Sequence, residues 1–264
     1  MGIGEAAILG IIQGLTEFLP ISSSGHLTIV EHFFGADTGE EVTSFVVAVH
    51  FASLAAIFTV MWRDIVRLLT VERRMLLLIV VATIPVIVLG KFMADPTEAM
   101  FEYPIVAGCA LLGTALMLFI SDHLATEQTE ARQARWWEAV IIGLAQVVAM
   151  VPGVSRSGMT IGSGLICGLK RQDAIRFSFL MAVPVISIAT VYTLYTAYTG
   201  QASPGDAPTV DMWPTITGMI ASFVFSVLAI RIMLKRVGRT RLSYFAGYCV
   251  LVGTTVIVLS IILK

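Results

Sequence analysis

Apolar runs decide what this chain can become. Six of them, near residues 43–61, 75–94, 104–120, 177–199, 214–234 and 243–263, approach the ~20 residues that a helix needs to cross a bilayer. Two others are too short: residues 5–19 stop at Pro20 and residues 138–151 stop at Pro152. Each is followed by a Ser-rich turn and a second short helical run, about 26–34 and 159–169. Helix, break, helix at membrane depth is the pattern of a re-entrant hairpin, and irregular backbone survives there only if it is buried in protein or lines a wet cavity. Composition excludes the soluble alternative, because the chain is 57% hydrophobic and 13% charged, where a soluble domain carries roughly 25% charged residues. The expectation is an all-α integral membrane protein.

The loops carry an orientation. Apart from Arg156, Lys91 and Lys264, the basic residues fall on one side: Arg63, Arg67, Arg73 and Arg74; Arg132 and Arg135; Lys170, Arg171 and Arg176; Arg231, Lys235, Arg236, Arg239 and Arg241. The opposite loops hold Asp37, Glu40, Glu41, Asp95, Glu98, Glu102, Asp206 and Asp211. The positive-inside rule then places both termini outside. Trp62, Trp136, Trp137 and Trp213 fall at or beside span ends, as interfacial anchors do. The net charge of -1 argues against a nucleic-acid partner. Cys109, Cys167 and Cys249 lie in apolar stretches and read as small buried hydrophobes, with no Cys/His spacing for zinc. With no basic n-region and Glu5 opening the first segment, no cleavable signal peptide is expected.

Shifted by 133 residues, the sequence aligns with itself: Glu5, Ala6, Ile8, Gly10, Gln13, Ser22, Ser24 and Gly25 meet Glu138, Ala139, Ile141, Gly143, Gln146, Ser155, Ser157 and Gly158. Phe45, Ala48, Val49, Ser53 and Ala55 meet Phe179, Ala182, Val183, Ser187 and Ala189 one residue further on. Residues 1–132 and 133–264 are therefore two halves of one membrane domain, with hairpins at 5–34 and 138–169 and three spans each. Three is odd, so the second half should enter from the opposite face. Such inverted repeats place their sites at the midplane, where broken helices meet.

The first break reads Gln13-Gly-Leu-Thr-Glu17-Phe-Leu-Pro20-Ile-Ser22-Ser23-Ser24-Gly25-His26. Gln13 and Glu17 share a helix face. Pro20 stops the helix, and Ser22 or Ser24 can cap the next one, whose first N–H groups make a seat for an anion. The second break, Pro152-Gly153-Val-Ser155-Arg156-Ser157-Gly158-Met-Thr160, supplies another capped start and an intramembrane Arg, which needs a partner or an anionic ligand. Converging donors suit a phosphoryl group, and a hydroxyl beside a His and a Glu supplies a nucleophile with a base. Local hydrogen bonding by the serines, a capping or Arg-pairing role for Glu17 and a packing role for His26 are the structural alternatives. His50 either lines the cavity or packs as a polar core residue.

At these two motifs, and over essentially its whole length, the sequence resembles the undecaprenyl-diphosphate phosphatase family of the bacitracin-resistance type. The resemblance implies hydrolysis of undecaprenyl diphosphate to undecaprenyl phosphate in a prokaryotic cell membrane, recycling the lipid carrier of cell-wall synthesis, with bacitracin resistance. It also implies a site opening to the outer face and a divalent cation, Mg²⁺ or Ca²⁺. Glu17, His26, Ser155, Arg156 and Thr160, with the hydroxyls around Ser23, fall on family functional positions. Gln13 stands where many members have a second Glu, and an amide can neither act as base nor supply charge to a metal.

On this reading Glu17, Ser23, His26 and Arg156 are catalytic: Ser23 attacks the terminal phosphorus, His26 takes its proton, Glu17 orients His26 or holds the cation, and Arg156 stabilises the developing charge. Gln13, Ser22, Ser24, Ser155, Ser157 and Thr160 bind the diphosphate. A phosphohistidine route through His26 stays open, as does a homodimer. A polyprenyl-phosphate transporter using the same midplane site is the alternative function.

Overall fold

A computed structural model describes residues 1–34, 40–101, 103–125, 134–198, 211–235 and 241–263. Those residues form eleven helices and no strand: α1 (Ile3–Phe18), α2 (Ser23–Phe34), α3 (Glu40–Val60), α4 (Trp62–Thr70), α5 (Arg73–Met100), α6 (Pro104–Leu124), α7 (Trp136–Val148), α8 (Arg156–Ile166), α9 (Arg171–Tyr198), α10 (Met212–Lys235) and α11 (Ser243–Ile262). The loop charges Asp37, Glu102, Arg132, Asp206, Arg236, Arg239 and Lys264 lie outside the described residues.

Five helices (α5, α6, α9, α10 and α11) are long and apolar enough to cross a membrane, which makes this a multi-pass membrane protein. The run expected as a span at 43–61 is α3, which turns by 73° at Met61 into α4. Arg63 and Arg67, expected in a loop, therefore sit on an amphipathic helix whose Leu68 faces inward. The predicted span 177–199 begins earlier, at Arg171, because Ala174 and Ile175 are buried in the core and Arg171 and Arg176 are held by ion pairs. Arg176 meets Asp64 at 2.7 Å and Glu72 at 2.9 Å, and Arg171 meets Asp122 at 2.7 Å. Asp122 also accepts from the backbone N–H and hydroxyl of Ser243, and Arg74 donates to the Ala134 carbonyl at 3.0 Å. These contacts gather α4, the end of α6 and the starts of α5, α7, α9 and α11 at one end of the bundle.

The short helices follow from their sequence. Pro20 drives the preceding residue out of the helical region, and Leu19 duly takes φ -72, ψ 144, so α1 ends at Phe18. Helix α1 packs in the same direction as α10, with Gly10 on Gly218 and Gly14 on Ser222, close enough that a Cβ on Gly10 would run into the Gly218 carbonyl. Helix α7 runs beside α5 in the same way, Gly143 lying on Ala82 and Pro85. Cys249 is buried as expected, but Cys109 is exposed on the outward face of α6.

The α1–α10 seam gives a direct test. Gly10→Ala should destabilise the protein by about 1–3 kcal/mol, the range for overpacking. Gly4→Ala, with nothing within 4 Å of its Cβ position, should leave stability unchanged or raised. Thermal unfolding of the two variants in one detergent compares them.

Candidate active site

The two breaks meet at backbone level. Gly153 has φ +93, and a Cβ there would collide with the Ala107 carbonyl, so the turn between α7 and α8 accepts only glycine. Gly25 lies against it, its Cβ position 2.8 Å from the Gly153 Cα. The seam is pinned by the Gly153 N–H donating to Ser24 Oγ at 3.4 Å and by Ser157 Oγ donating to the Leu19 carbonyl at 3.0 Å.

Each break ends in a serine cap. Ser22 Oγ accepts the Gly25 N–H at 3.2 Å and Ser155 Oγ accepts the Gly158 N–H at 3.1 Å, which is N-cap geometry at both starts. Ser22 has φ 69, the one non-glycine residue in the left-handed region among the described residues. Such a conformation costs about 1–3 kcal/mol and persists where the surroundings over-determine it. Here its hydroxyl caps α2 while its carbonyl holds both the backbone N–H of His26 at 3.3 Å and the ring Nδ1 at 2.7 Å. Caps at Ser22 and Ser155 leave the first N–H groups of α2 and α8 outside the helical ladder.

Across the seam lies the ion pair. Arg156 Nη2 donates to Glu17 Oε1 at 2.5 Å, with the two side chains 14% and 7% exposed. The other carboxylate oxygen, Oε2, accepts from Gln13 Nε2 at 3.0 Å and from Ser23 Oγ at 2.7 Å. Arg156 Nη1 is buried with no hydrogen-bond partner among the described residues. A cavity of about 330 Å³ opens over this cluster, within the size range of small-ligand sites. Its polar wall is Glu17, Ser22, Ser23, Ser24, Ser155 and Arg156, and its apolar wall includes Val46 and Val47 of α3 and Val185 and Ile186 of α9.

Several expected residues stand elsewhere. His26 has other partners than Ser23 and Glu17 among the described residues. Its Nδ1 is drawn to the Ser22 carbonyl, its Nε2 lies 2.8 Å from the Tyr248 hydroxyl, and its ring stacks on Tyr248 at 5.6 Å. With both nitrogens engaged, it is not placed to take a proton from Ser23. Thr160 is buried one turn below the cap, bonded to the Arg156 carbonyl at 2.8 Å and to Ser178 Oγ of α9 at 2.7 Å, so it packs instead of facing the cavity. Gln13 and Ser157 are likewise buried behind the wall, where one supports Glu17 and the other ties the breaks together. Two residues enter that the motifs did not show: Tyr248, 222 positions from His26, and His50, which lines the cavity with Nε2 3.6 Å from Glu17 Oε2. Nothing local marks Tyr248. His50 was visible only as a polar residue inside an apolar span.

Removing one partner of a buried pair strands the other charge, at a cost of about 3–5 kcal/mol. Arg156→Met should lower stability by that order, and Glu17→Gln in the same chain should restore much of it. A double-mutant cycle on unfolding midpoints checks this, with coupling above about 1 kcal/mol expected for groups in contact. Additive losses would mean the pair does not hold the breaks together.

Comparison with known proteins agrees with this architecture. The family described as "Bacitracin resistance protein BacA" matches residues 6–255. A Bacteroides fragilis protein called undecaprenyl-diphosphatase is 40% identical over 265 residues, covering 97% of each chain. Proteins of the same name from Methanosphaera stadtmanae and Desulforudis audaxviator are 35% identical, with 100% and 98% of each chain covered. With its paired breaks, its multi-pass helices and a match over nearly its full length, the chain belongs to the bacitracin resistance protein BacA family.

Proposed function

We propose that this chain is an undecaprenyl-diphosphate phosphatase that releases the terminal phosphate of its lipid substrate and returns undecaprenyl phosphate to cell-wall synthesis. Its relatives' shared name supports the substrate. The observation that carries the chemistry is a single chain of contacts lining one cavity: Ser23 Oγ on Glu17 and Glu17 on Arg156. A guanidinium in the wall of a polar cavity offers donors to an anion.

Ser23 attacks the terminal phosphorus as its proton passes to Glu17 Oε2. The bond to the bridging oxygen breaks, and undecaprenyl phosphate leaves with the electron pair. Arg156 and the free N–H groups of α2 and α8 offset charge on the phosphoryl oxygens. Water then hydrolyses the phosphoserine, and Ser23 regains its proton. The valines of α3 and α9 offer an apolar side to the cavity for the first isoprenoid units. His26 acts as a positioning residue, holding the Ser22 turn against Tyr248.

A resident cation does not fit the residues present. Among the described residues no three His, Cys, Asp or Glu side chains gather as ligands, and both oxygens of Glu17 are already engaged. Any Mg²⁺ or Ca²⁺ in the reaction would enter with the diphosphate. The charge bias of the loops supports termini outside the cell membrane and a cavity facing outward, with the two halves as an inverted repeat.

Purified protein in detergent should release phosphate from undecaprenyl diphosphate. Ser23→Ala should reduce kcat at least about 10³-fold, as loss of a nucleophile does, and Arg156→Lys about 10²–10³-fold. EDTA should stop release and added Mg²⁺ or Ca²⁺ restore it if the cation travels with the substrate. No release from folded wild-type protein would overturn the proposal and leave lipid transport to be tested in liposomes.

A further inference from the structure

The centre has an acceptor for the proton of Ser23 but, so far, nowhere for that proton to go. Glu17 Oε2 receives it while Glu17 is also the counter-ion of Arg156, so a proton left there would uncover the buried guanidinium. The next basic atom in the cavity is not on His26, whose two nitrogens are occupied by the Ser22 carbonyl and the Tyr248 hydroxyl. It is His50 Nε2, 3.6 Å from the same carboxylate oxygen.

His50 is arranged for that task. Its Nδ1 lies 2.7 Å from the Val46 carbonyl one helical turn back. A carbonyl can only accept, so Nδ1 carries the hydrogen and Nε2, on the Glu17 side, is the nitrogen that can take up a proton or give one up. The side chain is 29% exposed and lines the cavity, so the proton has a route to water. Among the described residues, the charged groups that line the cavity with the ring are Glu17 from α1 and Arg156 from α8. Helix α9 presents Val185, Ile186, Ala189 and Thr190. Helix α10 meets α3 through the hydroxyls of Ser222 and Ser226, at Val49 and Ser53, and through Gly218 against Phe45.

We infer that His50 is the proton relay of this centre, a positioning residue that acts on Ser23 through Glu17 and forms with them a Ser23–Glu17–His50 line. The inference rests on the phosphatase reading above. In the first half-reaction the Ser23 Oγ–P bond forms as the bond from phosphorus to the bridging oxygen breaks. The electron pair goes to the lipid phosphate, and the Ser23 proton moves by way of Glu17 to Nε2, giving an imidazolium. In the second, water adds to the phosphoserine phosphorus, the Oγ–P bond breaks and Oγ regains a proton through Glu17. The proton of the attacking water leaves through His50 to solvent.

The test measures phosphate release from undecaprenyl diphosphate by full-length protein in detergent across a pH series, for wild type, His50→Gln, His50→Ala and His26→Gln. His50→Gln should lower kcat by about 10²–10⁴-fold, the usual worth of a positioned base, with KM within about twofold of wild type. The fall of kcat toward acid pH should disappear in this variant, and imidazole added to His50→Ala should restore rate in proportion to its free-base concentration. Wild-type kcat and pH profile in His50→Gln would overturn the inference, as would a loss confined to KM or absence of rescue in folded His50→Ala. Loss of the acid fall in His26→Gln instead would move the relay to His26 and equally overturn it. Should His50→Ala fail to fold, His50→Gln alone decides through kcat and its pH profile. An inactive wild type would mark failure of the phosphatase reading itself, and the relay would fall with it.

Discussion

Everything in this fold is arranged around one ion pair at membrane depth, Glu17 with Arg156. Neither residue is tolerable there alone, because an unpaired charge taken from water into a low-dielectric interior costs several kcal/mol even after relaxation. They stand 139 positions apart in the sequence, so the cost is offset only when the two breaks are brought tip to tip. Sequence, packing and chemistry are linked at that point: the pair that makes the breaks compatible with burial is also the charge pair available to a phosphoryl group.

The surrounding backbone serves the same end. Gly153 and Gly25 remove the side chains that would hold the tips apart, and Ser157 and Ser24 stitch each tip to the other's backbone. Ser22 and Ser155 cap the following helices with their own hydroxyls, which keeps the free amides of two helix starts directed at one small volume. The long helices act as walls, and the ion pairs of Arg171 and Arg176 lock α9 at the far end, so that its valine and isoleucine face the cavity.

Much of this was legible in one dimension because membranes make local rules strict. A run of ~20 apolar residues has few fates, Pro20 beside a Ser-rich turn ends α1 where expected, and a near-constant 133-residue offset pairs Ser22 with Ser155. Those rules placed the breaks, the caps and the residues Glu17, Ser23 and Arg156 that the structure brings together. What they missed depends on rotation of one helix against another. The motif could not say that His26 turns to Tyr248, that Thr160 bonds Ser178 on α9, or that His50, a single polar residue in α3, faces Glu17. Helix α4 escaped for a similar reason: Arg63, Asp64 and Arg67 read as loop charges, and only the burial of Leu68 and the ion pair of Asp64 with Arg176 show a helix turned across the end of α3.

The account's central claim is that the paired breaks assemble a phosphoryl-transfer centre with Ser23 as the attacking group. The most direct measurement is to quench the protein during turnover of undecaprenyl diphosphate labelled in its terminal phosphate and to map the label by peptide mass spectrometry. The account predicts an acid-stable phosphoserine at Ser23 that forms in wild type and is absent from Ser23→Ala. An acid-labile adduct on His26, or turnover with no labelled peptide in a sample quenched before one cycle completes, would contradict it.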